Sequence, residues 1–294
     1  MNSKQLGIIE IIIATLIWGT LGIIIKSIEM EPASIVAYRS LIAVPIMIFL
    51  LRKKVHLIKN KKKEKKKGNF MLLVLSGIAI TLAWTAHFSA FKLTSIANTV
   101  ILLYTGPVYV AVLSPLLLKE VREKRANICL ILSVLGMLLI YNQGLGNELN
   151  NKGLLFGALS GILFAFVIIS TKKLSKYYSS ITIVGTQIII SAIILSPELV
   201  VEREVIINNI ILLLTLGIIH TAIAEFLYID GLIKISAQKA STISYIEPAS
   251  AIIYAIILFN EIPQGLEIVG ITLIALSNLI LNIKSKDILE IIKR

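Results

Sequence analysis

The residues with the most chemistry to offer sit where lipid-like surroundings tolerate them least. Glu247 lies beside Pro248 within a long apolar run, and Arg39 lies seven residues after Pro32 in another. A charge at the bilayer centre costs several kcal/mol unless it is paired, hydrated or protonated, so such residues mark transport paths, proton relays or internal ion pairs. Glu247 is therefore read three ways: it binds a substrate amine, carries a coupling proton, or holds a structural ion pair. Arg39, about 10 Å along its helix from the end at Pro32, attracts a substrate carboxylate, pairs with Glu247, or snorkels outward. Glu225 is a second proton-relay candidate. His220 lies five residues before it, about 140° round an α-helix, so the two do not share a face. Glu10 falls near the start of the first apolar run and reads as interfacial.

A second signal is a repeated spacing. Tyr104, Pro107, Leu117 and Glu120 recur as Tyr245, Pro248, Leu258 and Glu261, each 141 positions later without a gap. Proline inside a helix removes one backbone hydrogen bond and frees the carbonyl four residues back. Those carbonyls belong to Leu103 and Ser244, and in a membrane each needs a new partner. Pro107 and Pro248 thus read as a mirrored pair of kinks lining a path near mid-depth. Glu120 and Glu261 end their runs and read as structural, bonding to backbone or to basic neighbours such as Lys119. Trp18, Trp84, Tyr104 and Tyr245 are aromatic candidates for the same path. His87 stands three residues after Trp84 on one helical face. Gly157 and Gly161, with Gly19, Gly22, Gly106, Ala249 and Ser250, are small enough to let helices approach closely.

These residues need elements to hold them, and composition decides which. Hydrophobic residues make up 56% of the 294, charged residues 16%, and mean hydropathy is +0.89. A span needs about 20 apolar residues, and the long continuous runs exclude a β-barrel, whose strands would alternate. Ten spans are expected, at 6–26, 33–51, 70–91, 96–118, 126–141, 153–171, 181–197, 209–230, 237–258 and 265–283. The first is read as an uncleaved span rather than a secretion signal, because it is long and interrupted by Glu10. With the N-terminus in the cytoplasm, 24 of the 29 Lys and Arg residues fall on the cytoplasmic side, 4 fall outside and Arg39 lies within a span. That asymmetry places both termini inside. The lysine-rich stretch from Arg52 to Lys67 is then a topology determinant that can touch anionic lipid, not a nucleic-acid site.

Five spans separate the two copies of the Tyr/Pro/Glu pattern, and an odd number reverses direction through a bilayer. The expected architecture is an all-α membrane protein of ten transmembrane helices arranged as two inverted five-helix repeats. The first repeat takes residues 1–141, a linker 142–152, the second repeat 153–284 and a cytoplasmic tail 285–294. Cys129 is alone and reads as a packed apolar residue, and the three histidines show no metal-ligand spacing.

Two five-helix halves, Ala14-x-x-x-Trp18-Gly19, Tyr38-Arg39 and the doubled Pro…Leu-x-x-Glu pattern together resemble the EamA type of the drug/metabolite transporter (DMT) superfamily. The resemblance spans nearly the whole chain. It implies ten helices, cytoplasmic termini and a central substrate path in a multi-pass plasma-membrane protein. It also implies carriage of small metabolites, often amino acids. The sixth span departs from the pattern: Gly161 and Phe164 stand there without a Trp-Gly pair, so the Trp18-Gly19 element is expected to lack a counterpart.

The leading expectation is a secondary transporter, exporting small polar metabolites such as amino acids by alternating access. Its partners would be a small-molecule substrate, membrane lipid and protons as coupling ion. No cofactor, metal or catalytic residue is expected. No Walker A sequence is present, so the chain itself does not use ATP. A flippase of lipid or lipid-linked sugar is the alternative on the same architecture. An intramembrane enzyme lacks its His-Glu-x-x-His or Gly-x-Ser-x-Gly signature.

Overall fold

A computed structural model describes residues 2–58, 69–118, 126–143, 148–235, 243–244 and 246–282. Tyr245, Glu120, Lys119, most of the lysine-rich stretch, part of the 142–152 linker and the 285–294 tail lie outside the described residues. The helices are α1 (Ser3–Gly19), α2 (Leu21–Ser27), α3 (Pro32–Ile58), α4 (Phe70–Leu93), α5 (Ile96–Leu103), α6 (Gly106–Leu118) and α7 (Ala126–Gln143) in the first half. The second half holds α8 (Glu148–Leu174), α9 (Ser180–Ile194), α10 (Arg203–Thr215), a π-helical segment (Leu216–Ile223), α11 (Ala224–Lys234), α12 (Ile246–Phe259) and α13 (Gly265–Asn282). They follow the ten expected stretches, some of which are interrupted. Five unbroken or nearly unbroken stretches are long and apolar enough to cross a membrane: Ser3–Ser27, Pro32–Arg52, Phe70–Leu93, Glu148–Leu174 and Arg203–Lys234. Ser180–Ile194, Ile246–Phe259 and Gly265–Ser277 are shorter apolar helices.

The exterior is apolar, unlike that of a water-soluble bundle, and the interior mixes a hydrophobic core with buried polar groups. Leu41, Phe49, Met71, Leu155 and Ile257 are exposed on the outer surface, whereas Arg39, Ser40, His87, Asn98, Gln187, His220 and Glu247 are buried. Lipid accepts an apolar exterior, and polar side chains turn inward to find one another. Ser40 and Ser191 hydrogen-bond at 3.0 Å between α3 and α9, and Gln187 donates to Ser76 at 3.3 Å between α9 and α4. Thr15, Thr81, Thr85 and Ser89 instead bond back to carbonyls of their own helices, which satisfies the hydroxyl without a second helix.

The main packing partners are α4 with α8, α1 with α11, α3 with α9, and α7 with the last helix, α13. The α5–α6 pair also lies on α8, and α12 lies on α1. Glycine permits the closest of these approaches. A Cβ on Gly136 would stand 2.7 Å from the Gly270 carbonyl oxygen, and one on Gly270 would stand 2.6 Å from that of Gly136. The contact is reciprocal, and Ile274 and Ile140 flank it in the same way. The Gly157/Gly161 pair likewise forms a packing face. Gly157 meets Leu102, and a Cβ on Gly161 would lie 2.8 Å from the Leu102 carbonyl oxygen.

Candidate functional site

The first proline-containing stretch is interrupted, and in both stretches the proline lies in the first turn of a helix. α5 ends at Leu103, and Pro107 sits in the first turn of α6. Pro248 likewise sits in the first turn of α12. Proline suits that turn, where an N–H would have no intrahelical acceptor anyway. The expected mid-helix kinks are therefore helix starts. The carbonyls they leave behind are accounted for differently. The Leu103 carbonyl faces Gly161, where a Cβ would approach to 3.2 Å. The Ser244 carbonyl accepts the Tyr104 hydroxyl at 2.5 Å. The same Tyr104 oxygen stands 3.1 Å from Glu247 Oε2. Thus the tyrosine at the α5–α6 break bridges to the Ser244 carbonyl and the Glu247 carboxyl at the start of α12, and Tyr104, Ser244, Glu247 and Pro248 are all buried.

A second bridge lies between α1 and the π segment. α1 and α2 are parted at Thr20, whose hydroxyl is 3.0 Å from His220 Nε2. Trp18 Nε1 donates to the His220 carbonyl at 3.2 Å. His220 Nδ1 turns to the Thr215 carbonyl at 3.3 Å, and the Thr221 hydroxyl donates to the Leu216 carbonyl at 2.7 Å. Both side chains fill positions five residues on from the carbonyls they meet, as the wider π turn allows. The 140° estimate for His220 and Glu225 assumed α geometry and does not hold in this segment. His220 nonetheless faces Thr20, while Glu225 belongs to a different cluster.

That cluster centres on Arg39. Its side chain is 2% exposed, with the guanidinium carbon 4.3 Å from the Trp84 ring centroid and 4.9 Å from that of Phe88. Rings on a cation's flank stabilise it, more so when water is excluded. Arg39 Nε has no hydrogen-bond partner. Among the described residues no carboxylate lies within ion-pair distance of it, and the acid whose charge reaches it is Glu225. Neither pairing with Glu247 nor outward snorkelling occurs. Glu225 is also within hydrogen-bonding reach of Trp84. Trp18 stacks obliquely on Tyr228 with centroids 5.0 Å apart, and Tyr228 hydrogen-bonds to Ser244. Trp18, Glu225 and Tyr228 are only partly buried although buried Arg39, Trp84 and Glu247 surround them. His87 packs edge-on against Phe91 and Phe164, with centroids 4.6 and 6.4 Å away, and its Nδ1 has no partner.

Charged ties close both ends. At the end where α1 starts, Lys234 pairs with Glu10 at 2.5 Å and with Asp230 at 2.7 Å, and Ser180 donates to Asp230 at 2.7 Å. Glu10 is a buried contact between α1 and α11 near that end. At the other end Glu261 pairs with Lys26 and accepts the Ile96 N–H at 2.7 Å. Asn260, with φ 54°, turns the chain there, a conformation asparagine tolerates. Sequence spacing missed Thr20 and Tyr228, and it named the Ser244 carbonyl without naming its partner. The one available hint was that Ser244 lies four residues before Pro248. Gly161, expected to leave the Trp18-Gly19 element without a counterpart, packs on Thr105 and Leu102 much as Gly19 packs on Ser250.

The sequence pattern of the EamA-like transporter family matches residues 5–142 and again residues 151–283. An uncharacterized transporter of Clostridium kluyveri is 26% identical, over 79% of this chain and 78% of its own. The uncharacterized transporter YwfM of Bacillus subtilis is 25% identical over 92% of each chain. The uncharacterized inner membrane transporter YicL of Salmonella typhimurium is 24% identical over 96% of each. A solved protein structure shares the fold, with a TM-score of 0.62 and 16% identity over 92% of this chain and 94% of that one. With its helical bundle, apolar exterior and buried polar groups, this multi-pass membrane protein belongs to the EamA-like transporter family.

Proposed function

We propose that the protein is a secondary transporter that exports small polar metabolites bearing both a carboxylate and an amine, such as amino acids. Two inverted five-helix repeats, residues 1–141 and 153–284, would rock about a central substrate path and expose it alternately to each side. The observation that carries this reading is the set of buried charged groups: an incompletely bonded Arg39 lies among aromatic rings, with the carboxyl of Glu225 near enough for its charge to act on it and that of Glu247 near Glu225. A cation and an anion held apart in a dry site complement a zwitterion. The double family match supports the repeat, as does the packing. Exchanging the halves turns the α4–α8 contact into the α11–α1 contact and returns α3–α9 and α7–α13 to themselves. The excess of basic residues on one side supports cytoplasmic termini.

The test is a metabolite screen. Cells overexpressing the chain should accumulate amino acids outside, and the purified protein in vesicles should carry the same compounds. Glu247→Gln and Arg39→Gln should each lower that flux at least several-fold. Equal flux of the two variants and the parent would remove both residues from the site.

A further inference from the structure

Tyr104 has one hydroxyl hydrogen and two oxygens competing for it. A carbonyl oxygen can only accept, so the 2.5 Å contact to the Ser244 carbonyl requires Tyr104 to donate there. The 3.1 Å contact to Glu247 Oε2 is then a hydrogen bond only if the carboxyl group brings its own hydrogen and donates to the tyrosine oxygen. An ionised Glu247 has none to give. It would instead draw the Tyr104 hydrogen to itself and leave the Ser244 carbonyl without that donor. We infer that Tyr104, the Ser244 carbonyl and Glu247 form a proton-steered latch, in which a proton on Glu247 locks the α5–α6 break to the start of α12.

The step balances simply. A proton from water binds a Glu247 carboxylate oxygen, the new O–H donates to Tyr104 Oη, and the Tyr104 O–H donates to the Ser244 carbonyl. Loss of that proton to water reverses both donations. No electron moves, and no other bond forms or breaks. The titratable groups around Glu247 are Tyr104 from the α5–α6 break and Glu225 and Tyr228 from α11. Arg39 of α3 acts on Glu225, and His87 of α4 lies near Arg39. At the far end of α12, Glu261 is held by Lys26 of α2. Glu225 is thus the one neighbouring carboxylate that faces a cation of its own. Among the described residues Glu247 meets hydrogen-bonding partners and no cation, so its proton changes the bonding between the α5–α6 break and the start of α12 directly. The latch deepens the transport reading, because it names the coupling ion and the joint on which that ion acts.

Hydrogen exchange read by mass spectrometry on the protein in nanodiscs tests the latch without a substrate. After correction for the intrinsic pH dependence of exchange, peptides covering 96–108 and 244–252 should be protected more in mildly acidic than in mildly alkaline buffer. The expected difference is about fivefold, the factor one ordinary hydrogen bond supplies. Glu247→Gln should stay protected in both buffers, because its amide donates to Tyr104 as the protonated acid does. Tyr104→Phe should lose protection in both. Protection in the parent that is indifferent to pH overturns the latch, as does Glu247→Gln exchanging like the alkaline parent. Both comparisons stand without Tyr104→Phe should that variant fail to fold. Vesicle flux separates the two ideas: a latch that titrates in a protein whose flux ignores a pH gradient removes proton coupling and leaves the latch.

Discussion

The two bridges between the halves use the same device with different chemistry. At the Thr20–His220 bridge an interrupted helix meets a widened one through a hydroxyl, an imidazole and an indole, and the Thr20 hydroxyl also donates to the Ile17 carbonyl at 2.8 Å. At the Tyr104–Ser244 bridge an interrupted helix meets a proline-started one through a phenol, a carbonyl and a carboxyl group. The first bridge pins the helices together whatever the state of Glu247. The second holds a group that can gain or lose a proton as part of the contact. A pivot and a latch placed side by side would let the halves turn about one while the other opens.

The sharpest way to break this comparison is at the glycines beneath the bridges. A Cβ on Gly161 would press on the Leu102 carbonyl oxygen at 2.8 Å, which is backbone and cannot yield. A Cβ on Gly19 would meet first the Ser250 hydroxyl at 2.0 Å, which can rotate away, and then Ser250 Cβ at 3.1 Å. Gly161→Val should therefore destabilise by about 3 kcal/mol or more, and Gly19→Ala by roughly 1 to 2 kcal/mol. Thermal unfolding in detergent checks the order, and equal losses would show that both crossings are equally rigid.

Next in size is Arg39. Arg39→Lys keeps the charge but loses the flat guanidinium that lies between Trp84 and Phe88, so flux should fall by about tenfold. Flux that survives in Arg39→Lys would show that charge alone matters there.

At the pivot, Thr20→Val keeps the shape but removes the His220 partner, and should cost about 1 kcal/mol of stability by the same amount in acidic and alkaline buffer. A cost that varies with pH would erase the distinction between pivot and latch.

The smallest effects belong to the ion pairs at the ends. The Lys26–Glu261 pair keeps about a fifth of each side chain exposed, with 22% and 19% accessible, so solvent screens it. Lys26→Gln should cost at most about 1 kcal/mol. The interchange of Lys26 and Glu261 should recover less than the charge count suggests, because Glu261 also holds the Ile96 N–H.

The sequence by itself determined that this chain spans a membrane in about ten apolar helices, because lipid leaves the backbone no partner but itself. It also placed Arg39 and Glu247 in the interior, since the cost of exposing a charge to hydrocarbon applies wherever it falls in the chain. It named the Ser244 carbonyl as needing a partner, because proline's missing N–H is a local covalent fact. It did not say that Tyr104, 140 residues away, would be that partner. Nor did it say that Arg39 faces Glu225 rather than Glu247, that Glu10 joins Lys234, or that the eighth stretch widens into a π segment at His220. Those pairings depend on how helices rotate about their own axes. The packing of the assembled bundle decides that rotation, and no spacing along the chain records it.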